Sequence, residues 1–388
     1  MKYVDDFRDS ELARGMAARI HRAVERRRRY RLMEFCGGHT HAIARYGLTA
    51  LLPPQIELIH GPGCPVCVLP VGRVDSAIEL ALTHGVTLCT YGDTLRVPGS
   101  KQMSLYKARA AGADVRVVYS VSEALALAKA QPQREVVFFG IGFETTTPPT
   151  ALALAQARDA ALDNFSVFCN HVLTPAAMRH LLAEDADQSA RLDGFIGPSH
   201  VSTVIGVAPY RAISRDFVKP VVIAGFEPLD VLQAVLMLVE QINECRADTE
   251  NQFTRAVSEA GNTRAQALVH AAFEQRDSFE WRGLGAVPQS ALAIRPEFAR
   301  WDAERRYALT PRVAADVKTC QCGSILRGCA KPSDCKLFAT VCTPATPFGA
   351  CMVSSEGACA AHYQYGRFVA PALSSGRAFS RLDAARSA

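Results

Sequence analysis

No apolar run in the sequence is long enough to cross a bilayer: the longest, Ala234–Val239, is six residues, against the roughly 20 that a spanning helix needs. An apolar leader core is missing as well. The opening MKYVDDFRDSEL carries Asp5, Asp6, Asp9 and Glu11 where a secretory signal requires uncharged residues. Both absences lead to the expectation of a cytoplasmic protein with no membrane partner. A strong charge of one sign is also lacking, since 43 basic and 38 acidic residues leave a net charge of +5. The one basic cluster is Arg22, Arg26 to Arg29 and Arg31. It closes what reads as a helix from Ser10 to Arg29, where cations complement the negative end of the helix dipole. It is therefore read as a solvated helix end, and no nucleic-acid partner is expected.

What remains is ordinary in bulk and unusual in one respect. With 388 residues, 49% apolar and 21% charged, the chain has the composition of a globular protein of two or three domains. Thirteen cysteines are the exception. In a reducing compartment they point to metal or redox chemistry rather than to structural disulfides. Seven of them, Cys320, Cys322, Cys329, Cys335, Cys342, Cys351 and Cys359, fall within 40 residues. Cys36, Cys64 and Cys67 sit in two Gly-rich motifs, and Cys89, Cys169 and Cys245 read as ordinary buried thiols.

From residue 31 onward, short apolar runs alternate with helix-like stretches. The runs are RLMEF (31–35), IELIH (56–60), VTLCTYG (86–92), DVRVVYS (114–120), EVVFFGIG (135–142), FSVFCNH (165–171), LDGFIGP (192–198) and PVVIAGF (220–226). Such alternation predicts βαβ units and parallel sheets. The fold class is therefore α/β: two similar parallel-sheet domains and a small, loop-rich, iron–sulfur-bearing C-terminal domain. The expected boundaries are an N-terminal helix over 1–29, α/β domains over 30–120 and 121–243, and a helical linker with the cluster domain over 244–388. Residues 241–261 read as helical and polar, and a further helix is expected over Thr263–Arg276. Gly142-Phe143-Glu144 and Gly225-Phe226-Glu227 each close a strand, which raises two readings. Glu144 and Glu227 either line one cleft at strand C-terminal ends or are first-turn acids that complement helix dipoles.

Three constellations carry chemistry. The C-terminal run C-x-C-x6-C-x5-C-x6-C-x8-C-x7-C lacks the paired knuckles of zinc sites. Its wide spacing suits a [4Fe-4S] cluster with four thiolate ligands, ahead of zinc or a thiol-only cluster. Cys335, Cys342, Cys351 and Cys359 are the expected ligands, with Cys322 in reserve. Pro344, Pro347, Gly349 and Gly357 would let the backbone wrap closely around it. Cys36-Gly37-Gly38-His39-Thr40-His41 reads as a strand end, a turn and a helix start, where turn and helix N–H groups lower a thiol pKa. His39 could swing back to that sulfur. Gly61-Pro62-Gly63-Cys64-Pro65-Val66-Cys67 follows a strand with a C-x-x-C pair able to form a disulfide or share an ion. Cys36, Cys64 and Cys67 on neighbouring strands could together hold Fe(II) with positions left open.

These motifs, together with Gly142-Phe143-Glu144-Thr145-Thr146 and Cys351-Met352-Val353-Ser354-Ser355-Glu356-Gly357-Ala358-Cys359, resemble the HypD family of [NiFe]-hydrogenase maturation proteins. They occur in the family's order, and the resemblance covers about residues 3 to 366. It implies a scaffold for assembly of the Fe(CN)2CO group, with iron on Cys36 and a HypC-type chaperone as partner. It also implies cyanide delivered by HypE, with HypF upstream, and a [4Fe-4S] cluster working with the Cys64/Cys67 dithiol as a redox relay. Cys36, Cys64, Cys67, His39 and Glu144 are the expected reactive residues. One departure is Pro198-Ser199-His200-Val201-Ser202, where the family pattern has glycine in place of Ser199. The alternative from another class is a cluster-dependent thiol–disulfide oxidoreductase acting on protein substrates, which leaves Cys36 and its histidines without a role.

Overall fold

The computed structural model describes residues 4–183, 191–312, 314 and 316–366. The part of the expected C-terminal domain beyond Gly366 lies outside the described residues. All eight apolar runs form strands: β1 Tyr30–Glu34, β2 Ile56–His60, β3 Thr87–Thr90, β4 Val115–Val117, β5 Val136–Gly142, β6 Phe165–His171, β7 Gly194–Gly197 and β8 Val221–Ile223. A ninth, β9 Thr249–Asn251, lies within the stretch expected to be helical. Its three polar-flanked residues carry no periodicity, and it forms because β8 offers a free edge.

The nine strands make two all-parallel sheets, ordered β2-β1-β7-β8-β9 and β4-β3-β5-β6. The chain is α/β, as the alternation predicts. Sheet membership does not follow the expected boundaries at 120 and 243. The first sheet takes β1 and β2 and then, after the whole second sheet has been built, β7 to β9. Parallel strands are joined by long crossovers, and nothing in a crossover's local sequence says which strand it returns to. Burial matches the pairing: β5 and β6 are buried along their full lengths, as parallel strands covered on both faces must be.

The N-terminal helix, Ser10–Ala23, is capped by Asp9, whose carboxylate accepts from the N–H groups of Glu11 and Leu12 at 2.8 and 3.0 Å. It buries Ala13, Ala17 and Ile20 against the helix Pro228–Asn243. It ends at Ala23 rather than Arg29, because the Tyr30 hydroxyl accepts the Glu25 N–H at 3.1 Å and turns the chain back. The arginine run thus lies in a turn beyond the helix, with Arg28 over the Tyr30 ring. The helix Thr263–Ala272 also stops early, since Phe273 is buried and opens a strand. That strand, β10 Phe273–Gln275, pairs antiparallel with β13 Leu292–Ile294, and β11 Ser278–Trp281 with β12 Gly285–Pro288.

Beyond residue 303 the described chain holds only short helices and turns. Its apolar side chains, Ile325, Leu326, Met352 and Val353, enter the core shared by the second sheet and the loops after β2. The segment therefore borrows a core instead of building one. Arg96 ties it down, donating to the carbonyls of Pro344 (2.9 Å) and Val353 (3.0 Å). Among the described residues, no helix is long and apolar enough to cross a membrane.

Candidate functional site

Each sheet reverses its strand order once. In the first, the chain leaves β1 toward β2 and later returns to β7 on β1's other side; in the second, β3 lies between β4 and β5. At such switch points the loops leave the strand ends in opposite directions and open a crevice, where ligands of α/β sheets bind. Here both crevices face one cleft of about 600 Å³. Its walls are Phe35 and Cys36 after β1, Gly63 and Val66 after β2, and Tyr91 and Asp93 after β3. Phe143, Thr145 and Thr146 after β5, His200 after β7, and Ser354 to Glu356 line it too.

Cys36 caps the helix Gly37–Tyr46 in extended conformation and is buried. The loop around it is tightly fixed. The Gly37 N–H donates to the Gly63 carbonyl and the Gly61 N–H to the Glu34 carbonyl, both at 2.9 Å. A side chain at Gly63 would collide with the backbone of Phe35 and Cys36. Below it, the fully buried Glu34 carboxylate accepts from the Cys36 N–H at 3.0 Å, from the Thr40 hydroxyl, and pairs with His60 Nδ1 at 2.9 Å. The thiol faces His200, with Sγ 3.8 Å from Nδ1. Its pKa is not lowered as expected but pushed up to about 12, by burial first and by the Glu356 carboxylate second. The amides of Gly38 and His200 oppose this and lose, because desolvation of a thiolate outweighs two N–H donors.

Cys64 and Cys67 are joined in a disulfide, Cα atoms 5.2 Å apart. Both are buried. Parallel pairing of β1 with β2 sets Glu34 beside His60, so the Cys36 and Cys64 loops leave adjacent strand ends as the sequence implied. An added Cβ at Gly357 would stand 3.1 Å from the Cys67 sulfur, so the disulfide abuts the segment between Cys351 and Cys359.

In the cysteine-rich segment, the Cys322 thiol lies near enough to those of Cys320, Cys351 and Cys359 for each to perturb its titration. Interaction with one another and then burial hold Cys322, Cys351 and Cys359 well above the ordinary thiol value, while the neighbouring Cys322 thiol lowers Cys320 to about 7. Of the four expected ligands, Cys351 and Cys359 thus meet the reserve, Cys322. Cys335 and Cys342 are buried alongside, near enough for Cys342 to sense charge at Cys320 and Cys335. Gly349 lets the backbone lie directly on the sulfurs of Cys320 and Cys322. Among the described residues, no three Cys, His, Asp or Glu side chains stand ready-arranged around one metal ion. In donor chemistry, soft buried thiols with a close backbone, the set fits an iron–sulfur cluster.

Comparison with known proteins follows the same residues. The HypD model, described as "Hydrogenase formation hypA family", matches residues 11–366. The chain belongs to the HypD family. It is 61% identical over 371 residues to "Hydrogenase maturation factor HypD" of Cupriavidus necator, covering 95% of this chain and 98% of that one. It is 64% identical over 369 residues to "Hydrogenase expression/formation protein HupD" of Azotobacter chroococcum (95% and 97%) and 48% over 370 to the Escherichia coli HypD (94% and 98%).

Two side chains expected from the HypD motifs point elsewhere. His39 is fully buried and turns from Cys36 to the far strand ends, its Nε2 3.1 Å from the Ala224 carbonyl, 3.0 Å from that of Gly225 and 3.3 Å from Ser199 Oγ. Burial lowers its pKa to about 4. Glu144 is absent from the cleft wall. Its buried carboxylate accepts from the N–H and hydroxyl of Thr174 at 2.8 and 3.0 Å, serving the start of the helix Thr174–Ala183, and burial raises its pKa to about 7. Glu227 caps the helix Pro228–Asn243 with Asp230 and pairs with Arg8. The glutamates of the two Gly-Phe-Glu copies therefore serve helix starts, and of the two copies only Gly142 and Phe143 reach the cleft. Ser199 opens a helix with ordinary φ, so glycine's conformational freedom is not used there. His200, Glu356, Glu34 and His60 were not singled out from sequence. The available signals were a glutamate closing a buried strand beside Cys36 and the acid inside SSEG.

Proposed function

We propose that this hydrogenase maturation factor is the scaffold on which the Fe(CN)2CO group is assembled, with iron held by Cys36 Sγ. The observation that carries the reading is the single buried thiol at the meeting of two switch points, with His200 at its sulfur and a disulfide one strand away. A thiol held near 12 stays protonated until a metal displaces the proton. His200 Nδ1 is 3.8 Å away on a ring whose pKa burial lowers, so it is neutral and available to accept that proton. Asp93 and Glu356 give the wall negative charge, which suits an incoming Fe(II).

Releasing cyanide from a thiocyanate sulfur consumes two electrons and leaves a thiol and cyanide. Oxidation of the Cys64/Cys67 dithiol to the disulfide supplies two electrons and two protons. A [4Fe-4S] cluster, held by thiols drawn from Cys322, Cys335, Cys342, Cys351 and Cys359, would supply single electrons when bound. The contact between Gly357 and Cys67 supports a relay to the disulfide. Partners in this reading are a HypC-type chaperone sharing the iron, and HypE, with HypF upstream, as the cyanide source. The alternative, a thiol–disulfide oxidoreductase for protein substrates, fits less well because both disulfide sulfurs are buried. The test is infrared spectroscopy of the chain co-purified with the chaperone. Bands of iron-bound cyanide and CO are expected, and their loss in Cys36→Ala. Unchanged bands in that variant overturn the assignment.

A further inference from the structure

We propose that Phe226 is a positioning residue of the Cys36 site, setting the His200 ring against the thiol. The Phe226 ring stands between two imidazoles, with centroids 4.3 Å from His200 and 4.9 Å from His39, tilted 47° and 46°. One side of this stack is anchored. His39 is fully buried, and its Nε2 faces the carbonyls of Ala224 and Gly225, the two residues that lead into Phe226. The chain on the other side of Phe226 is anchored too, by the Glu227–Asp230 cap and the Arg8–Glu227 ion pair. The other side of the stack is not. Among the described residues, no hydrogen bond reaches the His200 ring except the contact with Cys36 Sγ. Its orientation is therefore set by what it packs on, and that is Phe226.

Room for the ring comes from Gly38, where any side chain would collide with it. This gives the second glycine after Cys36 a steric reason independent of turn geometry. Phe226 lines a smaller pocket of about 270 Å³ with Gly38, Glu227 and Glu356, and Glu356 also lines the main cleft with Cys36 and His200. An imidazole a few tenths of an ångström from its place still occupies the cleft, but its nitrogen no longer meets the sulfur. A flat, stiff ring behind it defines that place better than a flexible aliphatic chain of similar volume.

The proposal rests on the reading that Cys36 is the iron-holding thiol, and its test separates the two. Phe226→Leu, Phe226→Tyr, His200→Ala, the Leu/Ala double variant and Cys36→Ala are compared for iron retained with the chaperone. The rate of Cys36 alkylation by iodoacetamide is measured on the same chains, with cluster absorbance and thermal melting as fold controls. Phe226→Leu is expected to retain about 10-fold less iron, the low end for loss of an outer partner of a metal ligand, and to alkylate several-fold more slowly. Phe226→Tyr is expected to match the parent, and the double variant to be no worse than His200→Ala, since the effect acts through His200. If Phe226→Leu does not fold, Gly38→Ala moves the ring from its other face and is expected to slow alkylation likewise. Parental iron retention and alkylation in Phe226→Leu overturn the proposal, as does full additivity with His200→Ala. If Cys36→Ala keeps its iron, the iron reading falls, and alkylation alone decides the role of Phe226.

Discussion

Cys36 and the Cys322–Cys351–Cys359 group are all buried thiols, yet they are held by opposite means. Cys36 sits where two parallel strands end, in a loop fixed by backbone hydrogen bonds, two glycines and the Glu34 carboxylate beneath it. Its position is built before anything binds. The clustered thiols lie on short turns with no core of their own, near enough to perturb one another's titration. The first arrangement is a preformed site, in which the fold holds the ligand in place. In the proposed function, the second is a set of donors that a bound cluster would complete, which would make binding part of folding.

The sharpest way to break this comparison is to remove one clustered thiol. Cys359→Ala is expected to lose the whole iron–sulfur complement, read as the visible absorbance and acid-labile sulfide, and to leave residues 320–359 open to limited proteolysis. The parallel sheets should keep their far-ultraviolet signal. A cluster-free chain equally resistant to protease would show that the segment is preformed after all. Gly63→Ala attacks the other region. The new methyl meets the backbone of Phe35 and Cys36, and overpacking of this kind costs about 1–3 kcal/mol. Denaturant unfolding should detect that loss, while the iron–sulfur content stays parental.

A smaller effect tests the burial of Glu144. Its pKa, raised to about 7 from an ordinary 4.5, means the folded chain keeps a proton that the unfolded chain releases. The stability this contributes is full below about pH 4.5 and is lost as pH rises through 7. Glu144→Gln cannot ionise and keeps an acceptor for Thr174, so at about pH 8 it should be more stable than the parent by on the order of 1–3 kcal/mol. Near pH 4.5 the gain should vanish; equal stability at both pH values would rule out a buried carboxyl there. The smallest expected change is Ser199→Gly, which introduces the glycine that the sequence resemblance led one to expect. It removes the hydroxyl bond to the Ala224 carbonyl and the contact with His39 and should cost about 1 kcal/mol. A gain in melting temperature would mean the position does require glycine's freedom.

Much of this molecule was legible in the residue order. Apolar runs separated by helical stretches predicted all eight main strands, and strand-then-glycine motifs put Cys36, Cys64 and Cys67 at strand ends. Burial of short apolar segments is a local property, and a Gly-rich turn after a strand has few other conformations open to it. Local sequence also marked the C-terminal run as loop-rich. Tertiary structure alone decided which strands became neighbours: only the return of the chain to β7 brings His200 to Cys36, and only the packing of the last segment brings Glu356 and Gly357 to the cleft and to Cys67. The same holds for the thiol's charge state. The helix start near Cys36 argued for a lowered pKa, but burial and Glu356, which lies 320 positions later in the chain, drive it up. Desolvation and Coulomb interaction depend on distance through space, and a sequence states only distance along the chain.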